Sequence, residues 1–367
     1  MKILYAVQGT GNGHISRARD IIPKLSNRCE TDILVSGTQA DVTLPFDIKY
    51  KLNGFSFIFG KKGGVDVWDT YVNSNAKRLH DEIRALPVWD YDFVINDFEP
   101  VSAWACLINK TPCISLSHQA ALLDKNSPRP KKKDLFGRFI LNNYAPSLVQ
   151  FGFHFSRYAK NIYTPVIRNE VRSISPVDKG YYTVYLPSFS NEELVDRLGK
   201  FARVYWQVFS KHATVDAYFD NIEIHPITNE GFLSSMAGCK GILCGAGFET
   251  PAEALFLGKK LMVIPMYNQY EQHCNAASLR ELGIPVISKF KEKYYEKIHE
   301  WLESDYKIEI HYPDNTESII NRIFELYVSQ ALQKNKWSKD YSLNFNLKGK
   351  KASKSINYKF LSRNSAK

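Results

Sequence analysis

The sequence predicts an α/β protein built from two doubly wound halves that face each other across a cleft. Short apolar runs of strand length alternate with stretches of helical periodicity, which is typical of a parallel sheet covered on both faces. This pattern restarts near the middle of the chain, and in each half a glycine-rich loop joins a strand to a helix. Because ligands of such sheets bind beyond the carboxyl ends of the strands, both loops should open onto the cleft.

The strands are predicted from apolar runs of the right length. In the first half they are Lys2–Val7, Asp32–Ser36, Phe93–Asn96 and Cys113–Ser117. Pro23 should kink or shorten the helix after the first strand, which is predicted from the spacing of Ile15, Ala18, Ile22 and Leu25. In the second half the strands are Tyr181–Leu186, Arg203–Phe209, Ile222–His225, Gly241–Cys244 and Leu261–Ile264.

These elements divide the chain into four segments. We predict a first domain at residues 1–168, a hinge at 169–180, a second domain at 181–333 and a basic tail at 334–367. The hinge is placed where Pro176 and Gly180 occur and apolar periodicity is weak.

The composition indicates a packed, soluble chain. Hydrophobic residues make up 44% and charged residues 23%, which excludes disorder of the bulk. No apolar run approaches the ~18 residues of a membrane span, and the amino terminus has no signal-peptide core. The six cysteines form no CxxC pair. We therefore expect a cytoplasmic protein with reduced thiols.

The net charge of +10 is concentrated at the carboxyl terminus. Residues 334–367 contain ten Lys and Arg against one Asp, so this tail carries +9 and the remaining chain +1. A nearly neutral body argues against a nucleic-acid partner, whereas a basic tail suits an anionic membrane surface. Two interpretations stay open: peripheral attachment to the inner face of the membrane, and a disordered, solubilising end.

A second basic segment lies inside the first half. Five basic residues oppose Asp134 and precede the apolar run Phe139–Leu141; they are Arg129, Lys131, Lys132, Lys133 and Arg138. The pattern suits a lipid headgroup surface. A solvated loop ahead of a buried helix is the alternative.

The first glycine loop, Gly9–His14, is not a dinucleotide fingerprint. That motif requires a glycine where this chain has His14, and the second strand ends without the carboxylate that holds the ribose of NAD. The chain also has no GxxxxGK[ST] phosphate loop. Gly11, Asn12 and Gly13 can still face an anion or a bound sugar from a helix start.

The second glycine loop, which begins at Gly245, has two interpretations. Flexible glycines followed by free helix amides suit a diphosphate. Thr250 and Glu253 also form the pattern of a capping box, with Pro251 at the first helical position. Capping does not account for Pro265 and the run Glu271–Ala276 beyond the next strand.

Together these residues resemble the GT-B glycosyltransferases. Their nucleotide-sugar signature is matched in order by Glu253, Gly258, Pro265, Glu271-Gln272 and Asn275-Ala276. The resemblance is to the plant UDP-glycosyltransferases and to the peptidoglycan N-acetylglucosaminyltransferase of family 28. The motif from Gly9 to Arg17 resembles the first loop of a poorly characterised bacterial and archaeal branch. The resemblance covers roughly residues 1–330 and implies two Rossmann-like domains, the first on the acceptor side and the second binding the nucleotide-sugar.

The resemblance also implies a donor site. Ile227 would offer backbone groups to a uracil-like base, and Glu253 would bind the ribose hydroxyls. The diphosphate would be lined by Gly247, Glu249 and Thr250, with Ser188 and Ser190 nearby, and Gly245 would also belong to the donor site. The hexose hydroxyls would be held by Glu271 and Gln272. The chain departs from the plant enzymes at Gly245, where they have His, and at Glu249, where they have Asn. A carboxylate beside a diphosphate is unfavourable, so Glu249 is expected to turn away or to touch the sugar.

Three residues are candidates for activating the acceptor hydroxyl. His14 follows the first strand, and the imidazole group is the side chain that ordinarily changes charge near neutral pH, which suits a general base. The alternative is a histidine that shapes the loop. Asp97 would orient His14, act as the base itself, or cap the helix near Pro100. His118 follows another strand, and its alternative is a histidine satisfied within its loop.

No metal and no cofactor beyond the nucleotide-sugar co-substrate are expected. Asp90-Tyr91-Asp92 matches the DxD string of metal-dependent transferases, but it precedes strand Phe93–Asn96 and so lies at the wrong end of the sheet. Helix amides would then stabilise the leaving diphosphate.

The expected function is transfer of a hexose from a nucleotide-sugar, a UDP-sugar by resemblance, to an acceptor hydroxyl with inversion. The acceptor is a saccharide, a lipid-linked molecule or another hydroxyl compound. A non-hydrolysing sugar-nucleotide epimerase is one alternative, since it needs carboxylates around the sugar such as Glu249, Glu253 and Glu271. A sugar-nucleotide binder without activity is the other, disfavoured by the presence of both His14 and Asp97.

Overall fold

The computed structural model describes residues 1–37, 44–55 and 76–331 of the chain. Two compact units are present, Met1–Ile320 and Asn321–Lys367, and both sheets belong to the first. Within these described ranges, no helix is long and apolar enough to cross a membrane. The predicted basic tail, 334–367, lies outside the described residues.

The first sheet is parallel throughout its described strands, in the order β3-β2-β1-β4-β5-β6-β7. In chain order the strands are β1 Lys2–Gln8, β2 Glu30–Ser36, β3 Tyr50–Leu52, β4 Phe93–Asp97, β5 Cys113–Ser117, β6 Val149–Phe153 and β7 Ile162–Tyr163. Strand β1 pairs with β4 so that Val7 lies opposite Asp97. The carboxyl ends of β1 and β4 therefore meet at one edge of the sheet.

Helices connect the strands of this half. They are α1 Asn12–Ser26, α2 Ala76–Ala85, α3 Pro100–Asn109, α4 His118–Leu123, α5 Leu135–Asn143 and α6 Asn169–Arg172. Helix α1 continues through Pro23 to Ser26, so the proline does not end it. The short helix α6 lies within the predicted hinge at 169–180.

The second sheet has the described strand order β10-β11-β9-β8-β12-β13, in which β10 and β11 form the antiparallel pair. Its strands are β8 Tyr181–Tyr185, β9 Tyr205–Ser210, β10 Ala217–Phe219, β11 Ile222–Pro226, β12 Gly241–Gly245 and β13 Lys260–Ile264. The helices that follow β8 along the chain are α7 Asn191–Leu198, α8 Asn229–Gly238, α9 Glu249–Phe256, α10 Tyr270–Glu281, α11 Tyr295–Glu303 and α12 Thr316–Ala331.

Three of the described strands are buried along their whole length, although β13 lies at the edge of its sheet. Every residue of β4, β5 and β13 is buried, as expected for strands covered by helices on both sides. The strands that sequence patterns missed include β3, β7 and β10, which have only two or three residues and lie at sheet edges. Such segments are too short to show a period and exist because a neighbouring strand pairs with them.

The segment after α11 returns to the first half of the chain. The Tyr312 hydroxyl donates to the carbonyl of Phe155 at 3.0 Å, and Lys24 pairs with Asp314 at 2.6 Å. Residues that sequence patterns group with the second sheet thus also pack against elements of the first.

Candidate active site

The first glycine loop places His14 in the first turn of α1. Gly11 precedes this helix with φ at +95°, a left-handed conformation that favours glycine. A Cβ atom on Gly13 would lie 3.0 Å from Cγ of Glu249, so the close approach of the second half leaves little room for a side chain here. The loop therefore brings His14 to the carboxyl end of β4 and beside the second glycine loop.

His14 and Asp97 form a hydrogen-bonded pair. Nδ1 of His14 lies 2.8 Å from Oδ1 of Asp97, which is fully buried at the end of β4. Asp97 does not cap the following helix, because the carboxylate of Glu99 accepts from the amides of Val101 and Ser102. The capping interpretation of Asp97 is wrong. With its Nδ1 proton directed at Asp97, His14 keeps the Nε2 lone pair for a substrate proton.

Arg17, which the motif contained but sequence reasoning assigned no role, completes this cluster. Its Nη2 donates to both carboxylate oxygens of Asp97 at 2.7 and 2.8 Å, and its side chain is only 2% exposed. Burial by itself would raise the pKa of Asp97, but the charges of Arg17 and His14 and their hydrogen bonds outweigh it and hold the pKa below its usual value. An anionic Asp97 that accepts hydrogen bonds from both His14 and Arg17 suits the orienting role better than the role of the base. The signal in the sequence was the spacing of three residues from His14 to Arg17, which places both on one face of α1.

Glu249 turns toward the first half. Nη1 of Arg17 donates to its carboxylate, so one guanidinium serves two acidic side chains. Burial raises the pKa of Glu249 to about 7, and the charge of Arg17 offsets only part of that effect. The carboxylate of Glu249, which was expected to be unfavourable beside a diphosphate, is therefore engaged by Arg17.

The second glycine loop ends β12 and leads directly into α9. Gly245 is the last residue of β12, and a Cβ on Gly247 would meet no atom within 4 Å. Helix α9 begins at Glu249, its N-cap Phe248 makes no side-chain cap, and Thr250 lies inside the helix. The predicted capping box is therefore wrong, and Gly247, two residues before the helix, borders open space.

Ser188 and Ser190 lie in the loop between β8 and α7. The hydroxyl of Ser190 accepts from the amide of Glu193 at 3.2 Å, and the Glu193 carboxylate accepts from the amide of Ser190 at 3.1 Å. This is a complete capping box. Ser190 thus has a structural role that sequence reasoning did not give it.

Glu253 is buried against an arginine that sequence reasoning missed. Both of its carboxylate oxygens accept from Arg168, at 2.6 Å from Nε and 2.9 Å from Nη2. Arg168 is the N-cap residue of α6, and it also donates to Asn229. Each carboxylate oxygen of Glu253 retains a second lone pair, so a ribose hydroxyl can still donate to it.

The predicted base-binding residue follows a strand of the second sheet, and the predicted hexose-binding residues lie in the first turn of α10. Ile227 immediately follows β11, and Oε1 of Gln272 accepts from the amide of Met266 beyond β13. Glu271, in the first turn of α10, accepts from Nε2 of Gln119 at 3.0 Å. The same Gln119 nitrogen lies 3.3 Å from Nε2 of His14. The hexose candidate Glu271 and the base candidate His14 are thus joined through one amide group.

His118 is enclosed within the fold. Nδ1 lies 2.7 Å from the carbonyl oxygen of Phe153, and Nε2 lies 2.7 Å from Oδ1 of Asn275. Its ring stacks on Phe248 with centroids 3.8 Å apart, and burial lowers its pKa despite the nearby charge of Glu271. This geometry favours the alternative interpretation, a histidine satisfied by its surroundings.

The DxD string lies at the amino end of β4, and Asp92 accepts from the backbone amide of Lys2 at 2.8 Å. Throughout residues 1–37, 44–55 and 76–331, no group of three or more His, Cys, Asp or Glu residues is arranged to hold a metal ion. All six cysteines are free thiols.

The fold is similar to those of solved glycosyltransferases. CalG4, the calicheamicin glycosyltransferase, aligns with a TM-score of 0.51 at 15% identity, over 93% of this chain and 98% of that chain. MurG from Acinetobacter baumannii aligns with a TM-score of 0.50 at 15% identity, over 83% and 91%. UGT2 from Phytolacca americana, solved with UDP-2-fluoro-glucose and pterostilbene, aligns with a TM-score of 0.50 at 13% identity, over 87% and 88%. At these identities the likeness shows the fold, and it confirms the GT-B class with two Rossmann-like domains.

The family follows from a match along most of the chain. A comparison with curated proteins found no significant match. The model of the family described as glycosyl transferase family 1 matches residues 1–304, an interval that contains both glycine loops and each residue proposed for the site. The chain therefore belongs to glycosyl transferase family 1.

Proposed function

We propose that this glycosyltransferase moves a hexose from a UDP-sugar, or a related nucleotide-sugar, to an acceptor hydroxyl with inversion and without a metal. The observation that carries the proposal is the His14–Asp97 pair, 2.8 Å apart, held by Arg17 beside the first turn of α9. A base and a diphosphate site are the two parts that such a transfer needs.

In the proposed reaction, Nε2 of His14 accepts the proton of the acceptor hydroxyl. The hydroxyl oxygen bonds to the anomeric carbon as the bond from that carbon to the diphosphate breaks, and the electron pair leaves with the diphosphate. Attack opposite the leaving group inverts the anomeric centre. Asp97 stabilises the imidazolium of His14, and the amides at the start of α9 face the departing diphosphate.

Donor binding is assigned to the second half. Ile227, Gly247 and Glu253 lie at the carboxyl ends of β11 and β12 or in the helix that follows, the usual ligand side of such sheets. The solved complex of Phytolacca americana UGT2 contains UDP-2-fluoro-glucose, which favours UDP as the nucleotide. No cofactor besides the donor is proposed.

A screen of nucleotide-sugars tests this function. Thermal shift identifies the donor that binds, and product analysis then separates the outcomes. Transfer to a hydroxyl acceptor supports the proposal, whereas formation of an epimer without any acceptor would identify an epimerase. Binding with neither hydrolysis nor transfer would identify a non-catalytic binder.

We also propose that the acceptor is reached at an anionic membrane surface on the cytoplasmic side. Helix α5 exposes Leu135, Phe136 and Phe139 by 76%, 52% and 54%. The alternative interpretation placed a buried helix after the basic loop, and it is wrong for the face of α5 that carries these three residues. Lys131, Lys132, Lys133 and Arg138 are exposed beside it, while Asp134 accepts from the amide of Gly137. Apolar side chains next to basic ones suit a headgroup layer.

Deleting residues 334–367 should weaken binding to anionic liposomes at low salt and spare turnover of a soluble acceptor. Each basic residue near such a surface contributes about 1 kcal/mol, so a tail of +9 is ample for reversible attachment. Sedimentation with anionic and with neutral liposomes measures the effect, and Phe136→Ser/Phe139→Ser tests the α5 surface in parallel. Equal liposome binding by the full-length and truncated chains would rule out the tail as the anchor.

Replacing Glu253 with Ala should weaken UDP binding by roughly 1.5–3 kcal/mol, the cost of losing a charged hydrogen bond to ribose. Stability should fall as well, because Arg168 loses its bidentate partner. Arg168→Met is the matched control: it breaks the same ion pair but keeps the carboxylate. Calorimetry with UDP separates the roles, and an equal loss of affinity in both variants would show that Glu253 acts only through the fold.

A further inference from the structure

Gln119 joins the two parts of the candidate site through its amide group. It is the second residue of α4, whose start is capped by the Ser117 hydroxyl, and it is 4% exposed. Its Nε2 lies 3.3 Å from Nε2 of His14 and 3.0 Å from Oε2 of Glu271. One nitrogen with two protons therefore contacts both the base and a carboxylate of the other half.

The neighbours determine which end of the amide faces them. A carboxylate can only accept, so the amide N–H group must face Glu271. Because the Nδ1 proton of His14 is directed at Asp97, Nε2 of His14 carries a lone pair that accepts the second Gln119 proton. The remaining oxygen, Oε1 of Gln119, is buried and makes no hydrogen bond to the described part of the chain. Gln119 is thus anchored by its nitrogen while its oxygen is left without a partner.

We propose that Gln119 covers the base until an acceptor binds, and that the acceptor hydroxyl then displaces it. The proposal rests on His14 being the base of the proposed function. Nε2 of His14 has a single lone pair, which cannot accept a proton from Gln119 and from an acceptor hydroxyl at once. An acceptor hydroxyl that donates to the unpaired Oε1 offsets what the amide loses, so the cover leaves when the acceptor is present and stays while only the donor is bound.

The chemical consequence is protection of the donor from water. In hydrolysis, Nε2 of His14 would take a proton from water, and the water oxygen would bond to the anomeric carbon. The bond from that carbon to the diphosphate would break, and its electron pair would leave with the diphosphate. An amide N–H group bound to Nε2 of His14 hinders the first of these events, the transfer of a proton from water to Nε2.

Gln119→Met tests the cover, because methionine has a similar length and cannot donate. UDP release from the UDP-hexose found by thermal shift is measured without acceptor. We expect release to rise about fivefold, the factor of one ordinary hydrogen bond, while the Kd for UDP stays within about twofold. If the substitution merely damaged the site, hydrolysis and transfer would both fall. An unchanged or lower rate of UDP release overturns the proposal.

Two controls separate this inference from the function on which it rests. Gln207→Met makes the same change in a glutamine that donates to Glu223, and it should leave UDP release unchanged. In a His14→Ala background, Gln119→Met should produce no increase. If His14→Ala itself keeps normal transfer, the assignment of the base fails. If His14→Ala is inactive and Gln119→Met still releases no extra UDP, only the covering role fails.

Discussion

His14→Ala is expected to lower turnover by roughly 10²–10⁴, the usual range for loss of a general base, with little change in donor affinity. The reason is the division of the site: His14 belongs to α1, whereas the proposed donor residues lie in the second half. Steady-state kinetics with the true acceptor, together with calorimetry for UDP, measure the two quantities. Near-normal turnover in this variant would remove His14 from the role of base.

Asp97→Asn is the companion to that variant. If Asp97 only orients His14 and stabilises its imidazolium, the double variant should be little slower than His14→Ala alone. The hydrogen bond of 2.8 Å between His14 and Asp97 and the lowered pKa of Asp97 support His14 as the base and Asp97 as the group that orients it. An inactive Asp97→Asn beside a normal His14→Ala would make Asp97 the base instead.

Arg17→Met is expected to reduce the free energy of unfolding by about 3–5 kcal/mol, the cost of leaving a buried charge without its partner. Asp97 is fully buried and receives hydrogen bonds from Nε and Nη2 of Arg17 at 2.7–3.2 Å. Methionine fills part of the space but leaves both Asp97 and Glu249 without a cation. Denaturant unfolding at neutral pH measures the loss.

The charge explanation for Arg17 has its own control. Neutral asparagine needs no counter-ion, so Arg17→Met/Asp97→Asn should be less destabilised than the sum of the two single variants. Strictly additive losses would show that Arg17 contributes packing rather than charge. Arg17→Lys should lie between the wild type and Arg17→Met, because lysine keeps the charge without the planar fork of donors.

The local parts of the site could be predicted because each depends on neighbours in sequence. The apolar run of β1, the glycines before His14 and the spacing to Arg17 lie within seventeen residues. The same holds for the segment from β12 to Ala276 in α10, and these two segments carried the resemblance to GT-B enzymes. One local pattern failed: Thr250 and Glu253 form no capping box, since α9 begins earlier, at Glu249, and Glu253 pairs with Arg168.

The sequence by itself determined the two α/β halves, the glycine loops and the family, because periodicity and motifs are properties of contiguous segments. Only the tertiary structure decided which charged and polar groups meet. Arg17 reaches Glu249 across 232 positions of sequence, Gln119 reaches Glu271 across 152, and Arg168 reaches Glu253 across 85. These partners belong to elements that are far apart in the sequence, and no local pattern predicts their contact. Burial then makes each pairing obligatory, since an isolated charge or amide inside the protein would cost several kcal/mol.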